Sequence, residues 1–200
     1  YDEEIETGNT KMPPELKKIA DTIQKQEWKI EDGDGGLTTL IRQTNKFKVA
    51  VSFHCQDMVN EEEEYKDEKD GDDEGEEDFD DESSGSIRFS VTATPLKAGK
   101  AMVFTCIHEY AIPRIENVGI VNSDEVDKIH ATSNAYDTQD YQGPVFDELA
   151  EDVRDKFQLF LEEDLCVNDD VAAFISMYAD YKEQQKYIEF LKDATEILKG

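Results

Sequence analysis

The sequence predicts an α+β fold, in which an antiparallel sheet of about seven strands is flanked by one N-terminal helix and two or more C-terminal helices. Two periodicities predict it. Apolar residues alternate with polar ones through the middle of the chain, whereas near both ends they recur at spacings of three and four. Successive strands with short connections favour a meander. The 200 residues are expected to form a single domain, 1–200.

The N-terminal helix is predicted from about Pro13 to Gln26. Prolines at positions 13 and 14 suit its first turn, where a backbone N–H has no partner within the helix. One stripe carries its apolar residues, Leu16, Ile19, Ala20 and Ile23. This helix therefore has a single apolar face to pack against the sheet.

A hairpin and a third strand are predicted next. Trp28 and Ile30 lead to a glycine-rich turn at 33–36, and the segment from Leu37 to Arg42 returns. From Phe47 to His54, large apolar residues alternate with smaller or polar ones, which indicates a half-buried strand.

Further strands are predicted at Ile87 to Thr94, at Met102 to Ile107 and, with weaker signals, at Ile115 to Val121 and Asn134 to Asp140. Because the predicted helices can cover mainly one face of this sheet, the other face is expected to be exposed. Such a face is either polar or used for self-association.

The last third of the chain is predicted to be helical. Pro144 suits the first turn of a helix whose apolar residues run from Phe146 to Leu165. A second helix is expected to begin near Asn168, an acceptable N-cap, and a third contains the stripe from Tyr187 to Leu198.

An acidic run from Glu61 to Glu82 separates two of the predicted strands. Sixteen of its 22 residues are Asp or Glu, and with only Lys66 and Lys69 opposing them it carries half of the net charge of −28. Like charge of this density repels its own compaction, which predicts a disordered acidic loop over 61–85. The residues predicted to bind partners are Glu61, Glu62, Glu63, Glu64, Asp70, Asp72, Asp73, Glu74, Glu76, Glu77, Asp78, Asp80, Asp81 and Glu82.

The charge also limits the class of partner. Nucleic acid and anionic lipid need Lys and Arg to displace counterions from phosphate, so direct binding to either is not expected. Basic proteins, polyamines or metal cations are the expected ligands. The alternative is that the run only keeps the protein soluble.

A calcium-loop pattern lies within this run. Asp70, Asp72, Glu74, Gly75 and Asp81 fall at positions 1, 3, 5, 6 and 12 of the pattern. The segment lacks flanking helices and ends in Asp instead of Glu, and a match of this kind is expected by chance in so acidic a run. No specific metal site and no cofactor is therefore predicted.

The histidines give no sign of catalysis. His54, His108 and His130 are isolated on predicted strands or loops and are expected to be structural or surface residues. His108-Glu109 begins like a zinc-protease motif, but residue 112 is Ile and the second ligand is missing. No phosphate-binding loop or Gly-x-Ser-x-Gly motif occurs, so the protein is predicted not to be an enzyme.

Cysteine usage indicates a reducing compartment. Cys55, Cys106 and Cys166 are odd in number and widely spaced, and the first two are expected in or near the core. No apolar stretch is long enough to span a membrane, so no membrane insertion is expected. The acidic first residues are unlike a targeting peptide, so the chain is either untargeted or has lost a presequence.

Several segments, taken in order, resemble the mitochondrial acidic matrix protein family, also called the mitochondrial glycoprotein family. They are Trp28-Lys-Ile-Glu, Leu40-Ile41-Arg42, Lys48-Val-Ala-Val-Ser-Phe53, the acidic loop, Ile87-Arg-Phe-Ser-Val91 and the ending Lys182-Glu-Gln-Gln-Lys-Tyr-Ile-Glu-Phe-Leu191. The resemblance lies in the order of these parts and spans Trp28 to Leu198.

The resemblance implies a strongly twisted seven-stranded antiparallel sheet, terminal helices that pack together, and assembly as a ring-shaped homotrimer. It also implies a non-enzymatic adaptor or chaperone-like protein of the mitochondrial matrix, imported with a presequence. Its partners would be basic RNA-binding or ribosomal proteins, and its role the modulation of mitochondrial RNA processing, editing or translation. Two alternatives remain open, an acidic chaperone of histone-like proteins outside mitochondria and a low-affinity calcium buffer.

Overall fold

The computed structural model describes residues 11–59, 86–97, 99–109, 112–133, 141 and 143–199. Within these ranges it contains four α-helices and seven strands. In chain order they are α1 (Pro14–Lys25), β1 (Lys29–Asp32), β2 (Leu37–Gln43), β3 (Phe47–His54), β4 (Met58–Val59), β5 (Ser86–Pro95), β6 (Lys100–Glu109), β7 (Ile112–Asn122), α2 (Val126–Thr132), α3 (Glu151–Leu159) and α4 (Asp169–Lys199). The predicted α+β fold is therefore confirmed.

The strands form one antiparallel sheet in the order β1-β2-β3-β5-β6-β7, and β4 pairs with β5 beside this path. An apolar row crosses the sheet at its centre, because residues directly opposite each other on antiparallel strands share a face. Its members are Leu40, Val51, Val91, Phe104 and Val118. This register places the apolar side of every central strand on one face.

The main core lies between this face and the helices. Phe174 and Ile175 of α4 and Leu16 and Ile23 of α1 are fully buried in the same cluster as the apolar row. Burial of each such side chain stabilises the fold by about 1.5–3 kcal/mol. The apolar residues that recur with the helical period and those that alternate along the strands thus pack in a single core.

The opposite face of the sheet is polar at its centre, and α2 covers part of it. Ser52, Ser90 and Thr105 form a row across β3, β5 and β6, and all three are buried. Val126 and Ile129 of α2 belong to a small second apolar cluster against β6 and β7. The expectation that helices would leave this face open was wrong there, because a seven-residue helix gives too short a pattern to be recognised.

The prediction of about seven strands is confirmed, although the set differs from the predicted one. Strand β4 contains only Met58 and Val59, too few residues to show alternation, and was not predicted. The segment predicted as a strand at Asn134 to Asp140 lies outside the described residues.

Two boundaries in the last third differ from the prediction. Phe146–Glu148 forms a 3₁₀ turn, so Pro144 does not begin a helix, and α3 starts later and continues into a π-helical turn at Phe160–Asp164. The two final predicted helices are one helix of 31 residues, because no Gly or Pro interrupts α4. Asn168 does cap it, accepting a hydrogen bond from the backbone N–H of Val171 at 3.2 Å.

The first and last helices pack together, as the family resemblance implies. Beyond the end of α1, the amide nitrogen of Gln26 donates to the carboxylate of Asp170 at 2.7 Å, and the side chain of Asn168 donates to the Gln26 oxygen at 3.4 Å. Trp28, two positions after Gln26, is buried as expected. These contacts fix the start of α4 against the N-terminal helix.

Candidate interaction surface

The acidic run is an insertion between two strands that pair with each other. Val59, the last described residue before it, lies directly opposite Ser86, the first described residue after it. Opposite residues of an antiparallel pair are about 4.5–5.5 Å apart at their Cα atoms. The two ends of the insertion are therefore held side by side, and all the predicted partner-binding residues between Glu61 and Glu82 lie outside the described part of the chain.

A polar corner supports the base of this insertion. The chain turns sharply after β3, where the backbone N–H of Asp57 donates to the carbonyl of His54 at 3.0 Å. The carbonyl of Asp57 accepts from the N–H of Arg88 at 2.9 Å, and its carboxylate accepts from the hydroxyl of Ser133 at 2.7 Å. Strand β5 and the end of α2 are thus both attached to the residue that precedes β4.

Arg88 and Glu116 form a second fixed contact beside the base of the insertion. The guanidinium donates to both carboxylate oxygens, at 2.8 and 3.2 Å, in a bidentate arrangement that links β5 to β7. Glu116 lies where the β6–β7 register shifts, next to Cys106 and Thr105. Neither the corner at Asp57 nor this pair had a recognisable signal in the sequence, because both depend on pairing between distant segments.

The structure does not bring the three histidines together. His54 bonds to the backbone carbonyl of Gly35 through Nε2 at 2.8 Å, and His108 is buried on β6. His130 on α2 uses both ring nitrogens, Nδ1 with Ser52 Oγ at 2.9 Å and Nε2 with Thr92 Oγ1 at 3.2 Å. This arrangement attaches α2 to the polar face of the sheet.

Burial lowers the pKa of both His108 and His130 below the ordinary value of histidine. For His130 the carboxylate of Asp127 opposes this shift, and the charge of Lys48 adds to it. Both imidazoles are therefore held neutral at pH 7, and His130 has hydroxyl groups on each side instead of a nucleophile–carboxylate relay.

The thiols have the environments that the sequence predicts. Cys55 and Cys106 are buried, and burial raises the pKa of each. Cys166 is partly exposed, with its sulfur 3.7 Å from the carbonyl oxygen of Glu163. All three are free, and the two buried thiols carry little thiolate, the form that reacts as a nucleophile.

Among the residues with described positions, no group of three His, Cys, Asp or Glu side chains is arranged to hold a metal ion. The calcium-loop pattern of Asp70 to Asp81 lies outside those positions and stays a prediction. In the same part of the chain, none of the helices is both long and apolar enough to cross a lipid bilayer.

The fold and the charge define the class to which the chain belongs, that of acidic α+β proteins with a seven-stranded antiparallel sheet between N-terminal and C-terminal helices. A family model described as mitochondrial glycoprotein matches residues 1–198. The chain therefore belongs to the mitochondrial glycoprotein family, a family of mitochondrial acidic proteins, and the resemblance stated from the sequence is confirmed.

Two solved structures share the fold. One is a Leishmania major protein of unknown function, described as a sequence homologue of human p32, with 17% identity and a TM-score of 0.62; the match covers 91% of this chain and 96% of that one. The other is the Trypanosoma brucei p22 protein, with 21% identity and a TM-score of 0.58, covering 91% and 93%. At these identities the likeness extends to the fold and not to particular residues.

Proposed function

We propose that this protein is a non-enzymatic homotrimeric adaptor of the mitochondrial matrix, which binds basic RNA-binding or ribosomal proteins and so modulates mitochondrial RNA processing, editing or translation. One observation carries the proposal. A run with half of the net charge of −28 is inserted between Val59 and Ser86, which face each other on paired strands.

The insertion point separates binding from folding. The β4–β5 pairing joins the two sides of the insertion, and the described core contains residues from both sides of it. We expect the run to be available for a partner, and a field of this strength attracts cationic segments at rates that fall as salt rises. Family membership supports the mitochondrial location.

The homotrimer adds to the same effect. A closed three-fold assembly would bring three runs to one particle and concentrate a charge of roughly −42. Many weak, screened contacts of this kind suit a protein that binds and releases several basic clients.

A charge-neutralised run tests the proposal. In this full-length variant every Asp and Glu between positions 61 and 82 is replaced by Asn or Gln, which keeps the length of the insertion. Light scattering should give a mass near three chains for both proteins. Only the parent should bind an Arg-rich RNA-binding protein at low salt, and raised salt should release it.

Deletion of Glu61 to Glu82 is the complementary variant, and it should retain the fold and the oligomer while losing most of the binding. A monomeric parent would contradict the assembly. Equal binding by the parent and the neutralised variant would contradict the role of the run.

A further inference from the structure

A groove runs between the middle of α4 and the corner that joins β3 to β4. It consists of two adjoining cavities of about 490 and 320 Å³, which share Cys55, Gln56 and Glu183. Met58 lines one end and Phe190 the other. We call this feature the α4 groove; its volume is in the range of sites that hold a ligand or a few side chains.

The groove presents apolar side chains to solvent. Met58, Tyr187 and Phe190 are 39, 44 and 64% exposed, although each is large and apolar enough to be buried. Cys55, at 2% exposure, lies at its base. Contact with another apolar group would remove this surface from water, which is favourable in proportion to the area covered.

The charge of the groove is negative. Asp180 and Glu183 line it, and neither forms an ion pair with a residue that the structure describes. Burial raises the pKa of Asp180, as expected for a carboxylate with little compensation nearby. Lys186 also lines the groove, but its ammonium donates to Glu189 at 2.8 Å and its charge is paired.

We propose that the α4 groove binds a segment of a basic protein that presents a large apolar side chain next to Lys or Arg. The apolar side chain would pack on Tyr187 and Phe190, and the cation would pair with Asp180 and Glu183. The carboxylates that line the groove favour this occupant, and a second copy of this chain, as in the proposed trimer, is the alternative that the test below separates.

The position of the groove agrees with this occupant. Met58 forms part of its wall and lies three positions before Glu61, where the acidic run begins. A cationic partner drawn to the run is thus delivered beside the groove. This inference rests on the proposed function and adds specificity to it, since the run selects charge and the groove selects an apolar neighbour of that charge.

Two labelled peptides test the proposal by fluorescence anisotropy. Both have 15 residues and the same number of Arg residues; one has Phe next to Arg at two positions, and the other has Ser there. The full chain should bind the Phe peptide about tenfold more tightly, the effect of burying part of one aromatic side chain. This preference should persist at raised salt while both affinities fall.

Variants of exposed residues locate the effect. Tyr187→Ser with Phe190→Ser should abolish the preference, whereas Ile197→Ser with Leu198→Ser should retain it, because those residues lie on the same helix, are 79 and 83% exposed, and are outside the groove. Asp180→Asn with Glu183→Gln should weaken the binding of both peptides several-fold. Circular dichroism verifies that each variant is folded.

The outcomes separate this inference from the proposed function. If the charge-neutralised variant binds both peptides more weakly but still prefers the Phe peptide, both proposals are supported. If it binds as tightly as the parent and still prefers the Phe peptide, the role of the run is contradicted and the role of the groove is supported. The groove proposal is contradicted if the parent does not prefer the Phe peptide, or if the Tyr187 and Phe190 substitutions leave that preference unchanged. It is also contradicted if the Tyr187 and Phe190 variant has a different light-scattering mass from the parent, because a second copy of the chain would then occupy the groove.

Discussion

The hydroxyl of Tyr178 donates to both carboxylate oxygens of Asp32, at 3.1 and 3.0 Å, and this links the middle of α4 to the edge strand β1. Lys182, one turn further along α4, pairs with the same carboxylate at 3.0 Å. The Tyr178 ring stacks on Phe174 at 4.8 Å between centroids. Burial, followed by the charge of Asp32, raises the pKa of the Tyr178 hydroxyl, so it remains a donor at neutral pH.

Replacement of Tyr178 by Phe should therefore destabilise the protein with little change in shape. The ring contacts persist, and only the hydrogen bonds to a charged acceptor are lost. Because Asp32 is 46% exposed and water can replace part of the interaction, we expect a loss of about 1–2 kcal/mol in the free energy of unfolding. Urea denaturation followed by circular dichroism measures it.

Tyr187→Phe is the matched control, since Tyr187 is on the same helix and is 44% exposed. Its midpoint should stay close to that of the parent. Equal midpoints for the Tyr178 and Tyr187 variants would contradict a stabilising role for the Tyr178–Asp32 contact.

Gly143 should not tolerate a side chain. Its φ of +86° lies in the left-handed region, and an added methyl group would collide with the carbonyl oxygen of Val118 on β7. Because backbone at both sites must shift, Gly143→Ala should cost about 2 kcal/mol or more, measured as a lower urea midpoint. Gly99→Ala is the control: an added methyl group there meets open space, so its midpoint should hardly change. A tolerated Gly143→Ala would contradict the close approach.

Much of the fold could be predicted because the core is built on regular periods. The alternation of Phe47 to His54 and the helical pattern that follows Asn168 each continue long enough to identify a strand and a helix, and both are confirmed. Strand β4 and helix α2 were missed because two and seven residues are too few for a period. Tertiary pairing with β5 and with the polar face of the sheet determines them instead.

The candidate site also has one part that the sequence predicts and one part that only the fold shows. Charge is additive along the chain, so the run at 61–82 is visible in composition alone. The α4 groove is not visible, because it combines Cys55 and Met58 with Glu183 and Phe190, more than 100 positions away in the sequence. Only the packing of α4 against the β3–β4 corner brings these residues together.

His130 should make stability depend on pH in a predictable direction. Its pKa is lowered in the folded state, so between that value and about 6.5 the unfolded chain binds a proton that the folded chain does not. The stabilisation that neutral His130 gives the folded state is therefore fully present above about pH 6.5, and it is lost as the pH falls through the folded-state pKa. The stability advantage of the parent over His130→Gln, which has no titrating ring, should shrink from pH 7.5 to pH 5.

Comparison of the two proteins at each pH is necessary because many carboxylates also titrate on acidification and His108 shifts in the same direction. These contributions are common to both proteins and cancel in the difference. A difference in the free energy of unfolding that is constant, or that grows as the pH falls, would contradict a neutral His130 between Ser52 and Thr92.

The three thiols should differ sharply in reactivity toward a thiol reagent such as DTNB. Cys55 and Cys106 are 2 and 0% exposed, and their raised pKa values suppress the thiolate, so each reacts only after a local opening of the structure around it. Cys166 is partly exposed after the π-helical turn, with φ of 61°. The native protein should rapidly release about one equivalent of the coloured thiolate product per chain, and the protein in urea should release three. Cys166→Ser should remove the rapid phase. A rapid phase that survives this substitution would show that the β3–β4 corner around Cys55, or strand β6 around Cys106, opens far more readily than its burial implies.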